Sequence, residues 1–254
     1  MLTVNRGLSP VLMRHPFFAS SRPLVFAHRG GSALAPENTI EAFDNGLRLG
    51  ADGLELDVHL SRDGTVMVHH DSRLDRTTVL RGPIADRTPV ELTRVHVPAL
   101  DDVLARYRDA RIIVELKVNS AELAAAAVGA VRRAGAVDRV CFASFGRRVL
   151  RAVRAMEPAV ATSAAREEVR WALYRSWCRW PVSRVAYDGY QIPEWSGRTH
   201  VVSRWFVKCA HRAGLGVQVW TVDREDDARR LLDWGVDALI TDRPDVIVPM
   251  VKAV

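Results

Sequence analysis

The feature that most constrains the fold is an alternation of strand-like and helix-like segments along nearly the whole chain. Short apolar runs typical of buried strands, such as residues 24–27 and 238–241, are followed by apolar residues at helical spacing. Eight such runs occur within 254 residues, a length that suits one large α/β domain. The alternation predicts a single parallel (β/α)8 (TIM) barrel, with the strands inside and the helices outside.

The second apolar run, residues 54–60, alternates strictly between apolar and polar residues. A period of two places Glu55, Asp57 and His59 on one face of a strand. Carboxylates are costly to bury without a partner, and a parallel barrel covers both faces of its strands. Since a hard cation with oxygen ligands removes this cost, the run predicts a cation site.

Charged residues also stand at the ends of the first and third runs. His28 and Arg29 follow residues 24–27 and precede two glycines, which permit a turn with positive φ. Glu115 and Lys117 share a face at the end of residues 111–117. Parallel barrels build their sites at the carboxyl ends of the strands, so we expect these side chains to lie close together. Taken alone, Glu115 and Lys117 also fit a solvated ion pair.

Several motifs resemble those of the glycerophosphodiester phosphodiesterase family. The first is His28-Arg29-Gly30 followed by Pro-Glu-Asn-Thr at 36–39, and the second is His70-Asp71 followed by Arg-Thr-Thr at 76–78. Glu115-x-Lys117 and the segments 217–223 and 235–244 resemble further family motifs. The resemblance extends from about residue 24 to about residue 247, which is nearly the whole chain.

The resemblance implies metal-dependent hydrolysis of a small glycerophosphodiester to sn-glycerol 3-phosphate and an alcohol. It also implies roles for individual residues. His28 and His70 are the expected acid–base pair, and which of them is the acid is left open. Glu55, Asp57 and Glu115 are the expected ligands of one Mg²⁺ or Ca²⁺. The expected substrate-binding residues are Arg29, Lys117 and Trp220, and the residues expected to orient these groups are Glu37, Asn38 and Asp71. For Trp220, packing against a glycerol and ordinary barrel packing both remain open.

The domain organisation follows from the same patterns. We expect an N-terminal extension at residues 1–22 and a catalytic domain at residues 23–254. The segment 78–98 is shorter than the insertion that many members of this family carry there.

Residues 1–22 lack the apolar core of a secretory signal, and no stretch of about 18 apolar residues occurs. Three dispersed cysteines without a CxxC motif disfavour a zinc site or disulfides. These features predict a cytoplasmic protein, with peripheral membrane attachment left open.

The charge pattern disfavours nucleic-acid binding. The net charge of +6 suits an anionic substrate, but an arginine-rich composition explains it equally well. No Lys/Arg block of the kind that forms a nucleic-acid tail is present. A non-catalytic phosphate-binding barrel is a further alternative, which the presence of all five candidate catalytic and metal residues disfavours. Nothing in the sequence indicates the oligomeric state.

Residues 166–180 form the most unusual segment, with aromatic residues three apart and arginines between them. The aromatic residues are Trp171, Tyr174, Trp177 and Trp180. The pattern fits a surface helix whose aromatic stripe belongs to the core, which is the commoner case. It also fits an interfacial helix in weak contact with a membrane. The second interpretation makes a lysophospholipase D-like enzyme, acting on lysophospholipids at a membrane surface, the alternative function.

Overall fold

The computed structural model describes residues 15–181 and 185–253, and these residues form a (β/α)8 barrel. Its parallel strands follow the order β6-β5-β4-β2-β1-β11-β10-β7, and a bridge between Ser163 and Gly189 joins the two ends. The short strand β3 pairs antiparallel with β2, and β8 and β9 form a separate hairpin. The strands are β1 Leu24–His28, β2 Gly53–Leu60, β3 Val66–Val68, β4 Arg111–Leu116, β5 Val140–Ala143, β6 Ala161–Thr162, β7 Gly189–Pro193, β8 Trp195–Ser196, β9 Thr199–His200, β10 Gly216–Trp220 and β11 Ala238–Thr241.

Helices surround the barrel, and several begin at a side chain that caps their first turn. Thr39, for example, accepts a hydrogen bond from the Ala42 amide, and Ser203 accepts one from the Phe206 amide. The α-helices are α1 Ile40–Arg48, α2 Pro89–Thr93, α3 Leu100–Arg106, α4 Ala121–Arg133, α5 Arg147–Met156, α6 Arg166–Trp177, α7 Arg204–Arg212, α8 Glu225–Asp233 and α9 Pro244–Lys252, and short 3-10 helices span Pro16–Phe18, Ile84–Asp86 and Val137–Arg139.

The alternation of side chains along the strands separates two apolar layers. Leu54, Leu56 and Val58 of β2 belong to the outer layer, between strands and helices, as the period of two predicts. Leu24 and Phe26 of β1 belong to the smaller layer inside the barrel. The inward-facing side chains of the strands are therefore apolar within the barrel, and at the carboxyl ends of the strands they are followed by the polar residues that form the site.

Two phenylalanines close the amino-terminal end of the barrel. Phe17 and Phe18 lie within the segment expected to be an extension, yet both are buried and join the inner layer with Phe26. A Cβ added at Gly189 or Gly216 would come within 2.6 Å of the Phe18 ring. These two strand glycines therefore make room for the ring, and residues 17 and 18 help to fill the barrel core.

Two local expectations differ from the structure. The sixth strand of the barrel, for which the apolar pattern predicts residues 185–192, is β7, and it begins only at Gly189, where pairing with β10 starts. The aromatic residues of α6 do not form a core stripe. Trp171 is 67 % exposed and Trp177 is 63 % exposed, because Ala172, Leu173 and Ser176 occupy the buried face of the helix.

In the part of the chain that the structure describes, no helix combines the length and the apolar character that crossing a membrane requires.

Candidate active site

Three carboxylates meet at the carboxyl ends of two neighbouring strands. Glu55 and Asp57 lie on the inward face of β2, and Glu115 of β4 is in register with Asp57. One carboxylate oxygen from each lies within 4.8 Å of the others. Glu55 and Asp57 are 5 % and 1 % exposed. The structure therefore brings together all three of the carboxylates predicted from the sequence, in a buried cluster with oxygen donors only.

The pKa values of this cluster show how strongly the buried negative charges interact. Burial and the Asp57 carboxylate raise the pKa of Glu55 to about 8. The same two causes raise the pKa of Glu115, against the opposing effect of Lys117. Burial alone would raise the pKa of Asp57 as well, but the nearby cations Lys117 and Arg29 hold it below its usual value. Asp57 is therefore the carboxyl group that ionises most readily, whereas the ionised forms of the two glutamates are disfavoured.

The surroundings of Asp57 fit a bound cation. Its Oδ2 accepts a hydrogen bond from Asn38 Nδ2 at 2.9 Å and lies 3.3 Å from Arg29 Nε. Its Oδ1 lies 3.3 Å from Lys117 Nζ but accepts no well-formed hydrogen bond from the described residues. A buried carboxylate oxygen without a hydrogen bond is costly, and a hard cation is the partner that three carboxylates suit best.

The turn after β1 places His28 and Arg29 over this cluster. Arg29, Gly30 and Gly31 all have positive φ, so the chain turns back sharply at the barrel mouth. A Cβ at Gly30 would come within 2.6 Å of Ala42, which makes a glycine necessary there. The Arg29 amide consequently donates a hydrogen bond to Glu55 Oε2 at 3.1 Å.

His28 is held between two carboxylates. Its Nδ1 lies 2.7 Å from Asp242 Oδ1, just beyond β11, and its Nε2 lies 3.7 Å from Glu55 Oε2. Burial would lower the pKa of His28, but Glu55 and Asp242 together raise it to about 9. Ser32 donates a second hydrogen bond to Asp242 Oδ1 at 2.5 Å, which fixes the carboxylate that orients the ring.

His70 is oriented in the same manner by a different carboxylate. Its Nδ1 lies 2.6 Å from Asp71 Oδ1, and its carbonyl lies 3.0 Å from His59 Nε2. Arg76 Nε donates to Asp71 Oδ2 at 2.7 Å and, with its other nitrogens, to Glu37 at 2.6 and 2.9 Å. Hydrogen bonding to Arg76 lowers the pKa of Asp71. Arg76 thus ties the loop that carries His70 to the loop that carries Glu37.

The adjacent His69 is held by two polar contacts of its own. Its Nδ1 lies 2.8 Å from the Asp71 carbonyl oxygen and its Nε2 lies 2.9 Å from Thr77 Oγ1. His69 is buried, so these contacts stabilise the loop beneath His70.

A cavity of about 810 Å³ opens above the carboxylates, and both histidines line it. Lys117 and Arg29 line it beside the cluster, and Trp220 forms part of its wall. The Trp220 ring packs edge-on against Phe145, with 6.0 Å between the ring centroids. The strand ends therefore supply a cation site, two cationic side chains and two carboxylate-oriented histidines around one space.

Two residues of this network were not predicted from the sequence as site residues. Asp242 lies within a segment that resembles a family motif, but its contact with His28 spans 214 positions of the chain. Arg76 lies in the motif that follows His70, where an arginine among polar residues carries no signal of a bridging role. Among the predicted orienting residues, Glu37 contacts Arg29 and Arg76, Asn38 contacts Asp57, and Asp71 contacts His70.

The fold and the site together define a (β/α)8-barrel enzyme with an arrangement suited to a phosphate ester. The model of the glycerophosphoryl diester phosphodiesterase family matches residues 28–246. The chain therefore belongs to this family and is an enzyme of the phosphoric diester hydrolase class.

Individual relatives agree with this assignment over most of their length. The chain is 30 % identical to a glycerophosphodiester phosphodiesterase of Caldanaerobacter subterraneus subsp. tengcongensis, across 91 % of this chain and 98 % of the relative. It is 33 % identical to a probable glycerophosphodiester phosphodiesterase 2 of Mycobacterium tuberculosis, across 88 % of this chain and 89 % of the relative.

A solved structure gives the same result. A phosphodiesterase of Oleispira antarctica, in complex with the product sn-glycerol-3-phosphate, is 27 % identical and superposes with a TM-score of 0.74. The match covers 91 % of this chain and 97 % of that one.

Proposed function

We propose that the enzyme hydrolyses glycerophosphodiesters to sn-glycerol 3-phosphate and an alcohol, with a divalent cation, Mg²⁺ or Ca²⁺, held by Glu55, Asp57 and Glu115. The observation that carries the proposal is the buried carboxylate cluster beneath two oriented histidines in one cavity. When bound there, the cation would neutralise phosphate oxygens and make the phosphorus more electrophilic. The product complex of the Oleispira antarctica phosphodiesterase supports sn-glycerol 3-phosphate as one product.

The cationic side chains are suited to binding the diester. Arg29 and Lys117 both lie at the cluster, and each is within 3.3 Å of an Asp57 oxygen. Both residues line the cavity, where they could form charge-assisted hydrogen bonds with a phosphate anion. Because the same two cations hold Asp57 ionised, they link substrate binding to the state of the cation site.

The two histidines supply proton transfer. In each ring a carboxylate contacts Nδ1, from Asp242 for His28 and from Asp71 for His70. Nε2 is then the atom that exchanges a proton with the substrate. One histidine accepts the proton of the attacking hydroxyl, from water or the glycerol 2-hydroxyl, and the other donates a proton to the leaving alkoxide. Glu37, Asn38 and Asp71 keep these groups in place through the contacts described above.

The test is the release of sn-glycerol 3-phosphate from glycerophosphocholine and glycerophosphoethanolamine by a coupled assay. We expect His28→Ala and His70→Ala each to lower kcat by about 10²–10⁴-fold, because each removes one proton transfer. His211→Ala is the matched control, since His211 does not line the cavity and its ring contacts Asp237 rather than a residue of the site. Near-normal kcat in both active-site variants would refute the assignment.

A second candidate function, hydrolysis of lysophospholipids at a membrane surface, is favoured by α6. Val169 and Leu173 of this helix line the cavity, while Trp171 and Trp177 are largely exposed beside it. An amphipathic surface with exposed tryptophans and arginines is typical of helices that lie at a lipid interface. The cavity is also of a size that accommodates a ligand much larger than glycerol 3-phosphate.

Vesicle binding tests this second candidate. We expect the protein to co-sediment with phosphatidylglycerol vesicles and to release choline from lysophosphatidylcholine. Trp171→Ser with Trp177→Ser should abolish vesicle binding, whereas Val90→Ser, at an exposed position of α2, should not. Turnover of glycerophosphodiesters without any vesicle binding would leave the first function and remove the second.

A further inference from the structure

The cavity has an outer wall whose charge differs from that of its floor. The acidic residues of the described chain that line the cavity are Glu55 and Glu115, both at the floor. The outer wall, formed by α6 and its surroundings, contributes Arg166 and Arg170. A bound cation, together with Arg29 and Lys117, would balance the negative charge of the floor carboxylates and of the diester phosphate. The positive charge of the two arginines on the outer wall would then remain uncompensated.

The first of these arginines is held in position by aromatic packing. The Arg166 guanidinium lies over the Phe145 ring, 4.8 Å from its centroid, and the same ring packs edge-on against Trp220. The Arg166 amide donates a hydrogen bond to the Phe145 carbonyl at 3.3 Å. A continuous stack therefore connects the end of β10 to a cation on the outer wall.

Arg170 lies one helical turn further along the same wall. Positions 166 and 170 of a helix are neighbours on one face, and both residues line the cavity. Within the described chain, neither forms an ion pair with an acidic side chain.

From this arrangement we propose that the outer wall is a subsite for a second anionic group, carried by the alcohol half of the diester. The proposal rests on the proposed function, because it assumes that the diester phosphate occupies the floor. With the phosphate there, one substituent points toward the open side of the cavity, where Arg166 and Arg170 stand. The favoured substrates are glycerophosphodiesters whose alcohol is itself phosphorylated.

The neutral polar residues of the same region fit this class of alcohol. Ser196 and Thr199 of the β8–β9 hairpin and Ser163 beyond β6 also line the cavity. Hydroxyl groups donate and accept hydrogen bonds, which suits a polyol that carries the phosphate. A positively charged alcohol such as choline would instead meet the two arginines with like charge.

The experiment compares two substrates that differ by one phosphate, glycerophosphoinositol and glycerophosphoinositol 4-phosphate. For the wild type at low ionic strength, we expect kcat/KM to be about tenfold higher for the phosphorylated substrate, the effect of one well-placed charge-assisted contact. The double variant Arg166→Gln with Arg170→Gln should reduce this preference to twofold or less, by lowering kcat/KM for the phosphorylated substrate more than for glycerophosphoinositol. Arg175→Gln is the matched control, because Arg175 belongs to the same helix but does not line the cavity.

Two results would overturn the proposal. One is an equal kcat/KM for both substrates in the wild type, and the other is a preference that survives in the double variant. If neither substrate is hydrolysed with Mg²⁺ or Ca²⁺, the proposed function fails, and calorimetric titration with inositol 4-phosphate still tests the subsite. Binding that weakens about tenfold in the double variant would support the subsite, and the absence of binding to the wild type would overturn it.

Discussion

Replacing Glu55 by glutamine should stabilise the cation-free protein and weaken its stabilisation by a cation. Glu55 is buried, and its pKa is raised to about 8 from the ordinary 4.5. A carboxyl group whose pKa is higher in the folded than in the unfolded protein destabilises the folded state at every pH above its pKa in the unfolded protein. This destabilisation begins near pH 4.5 and amounts to about 3 kcal/mol at most by pH 7.

Glutamine keeps the contact that Glu55 makes but removes the charge. Its side-chain oxygen can still accept the hydrogen bond from the Arg29 amide. We therefore expect the free energy of unfolding of Glu55→Gln in EDTA at pH 7 to rise by about 1–3 kcal/mol. For a chain of this size the gain corresponds to an increase of Tm by about 3–10 °C.

A bound cation should stabilise the wild type. A cation present at 100 times its Kd stabilises the folded state by about 2.7 kcal/mol, or about 5–10 °C in Tm. Glu55→Gln should gain much less, because one of the three ligands has lost its charge, and it should release no sn-glycerol 3-phosphate. Differential scanning calorimetry in EDTA and in Mg²⁺ or Ca²⁺ measures both effects.

Glu122→Gln, at an exposed position of α4, is the control and should change neither Tm by more than about 2 °C. If Glu55→Gln is less stable than the wild type in EDTA, the Glu55 charge does not destabilise the cation-free protein. If the cation stabilises the variant as much as the wild type, Glu55 is not one of its ligands.

Three further variants test the contacts around the site and the barrel core. Asp242→Asn should lower kcat by about 100-fold or more without changing Tm by more than a few degrees, because the Nδ1 contact of His28 loses its charge. In Arg76→Gln the pKa of Asp71 should rise toward its ordinary value, which ¹³C NMR titration of the Asp71 carboxyl group measures; an unchanged pKa would contradict the bridging role. Phe18→Ala should cost about 3–5 kcal/mol in unfolding free energy, measured by urea denaturation, while kcat at 20 °C stays within about twofold; a cost below about 1 kcal/mol would show that the ring does not fill the barrel.

The barrel and the floor of the site were predictable because both depend on local periodicity. The period of two along residues 54–60 places Glu55 and Asp57 inward, and the structure has them there. The end of each apolar run marks the carboxyl end of a strand, which is where a parallel barrel brings different strands together. Residues of neighbouring strands, such as Asp57 and Glu115, could therefore be grouped without knowledge of the intervening chain.

Contacts that depend on closure of the barrel or on loop conformation could not be predicted in this way. The contact between His28 and Asp242 requires β1 and β11 to be neighbours, which follows from closure rather than from any local pattern. Arg76 joins two loops whose conformations are set by hydrogen bonds to side chains elsewhere.

The α6 helix shows a second limit of sequence periodicity. Aromatic residues three apart fit a buried stripe, but smaller residues occupy the buried face and the tryptophans are exposed. Phe17 and Phe18 show the reverse, since two residues outside any recognisable strand or helix pattern are buried in the barrel. In both cases burial is decided by the tertiary shape of neighbouring elements rather than by the apolar character of the residue.

The most direct test of the account is the metal dependence of sn-glycerol 3-phosphate release from glycerophosphocholine and glycerophosphoethanolamine. Enzyme treated with EDTA is assayed before and after the addition of Mg²⁺ or Ca²⁺. We expect EDTA to abolish release and one of the two ions to restore it, whereas neither ion should restore it in Asp57→Asn. Full activity in EDTA, or restored activity in Asp57→Asn equal to that of the wild type, would contradict the assignment of the carboxylate cluster as the catalytic cation site.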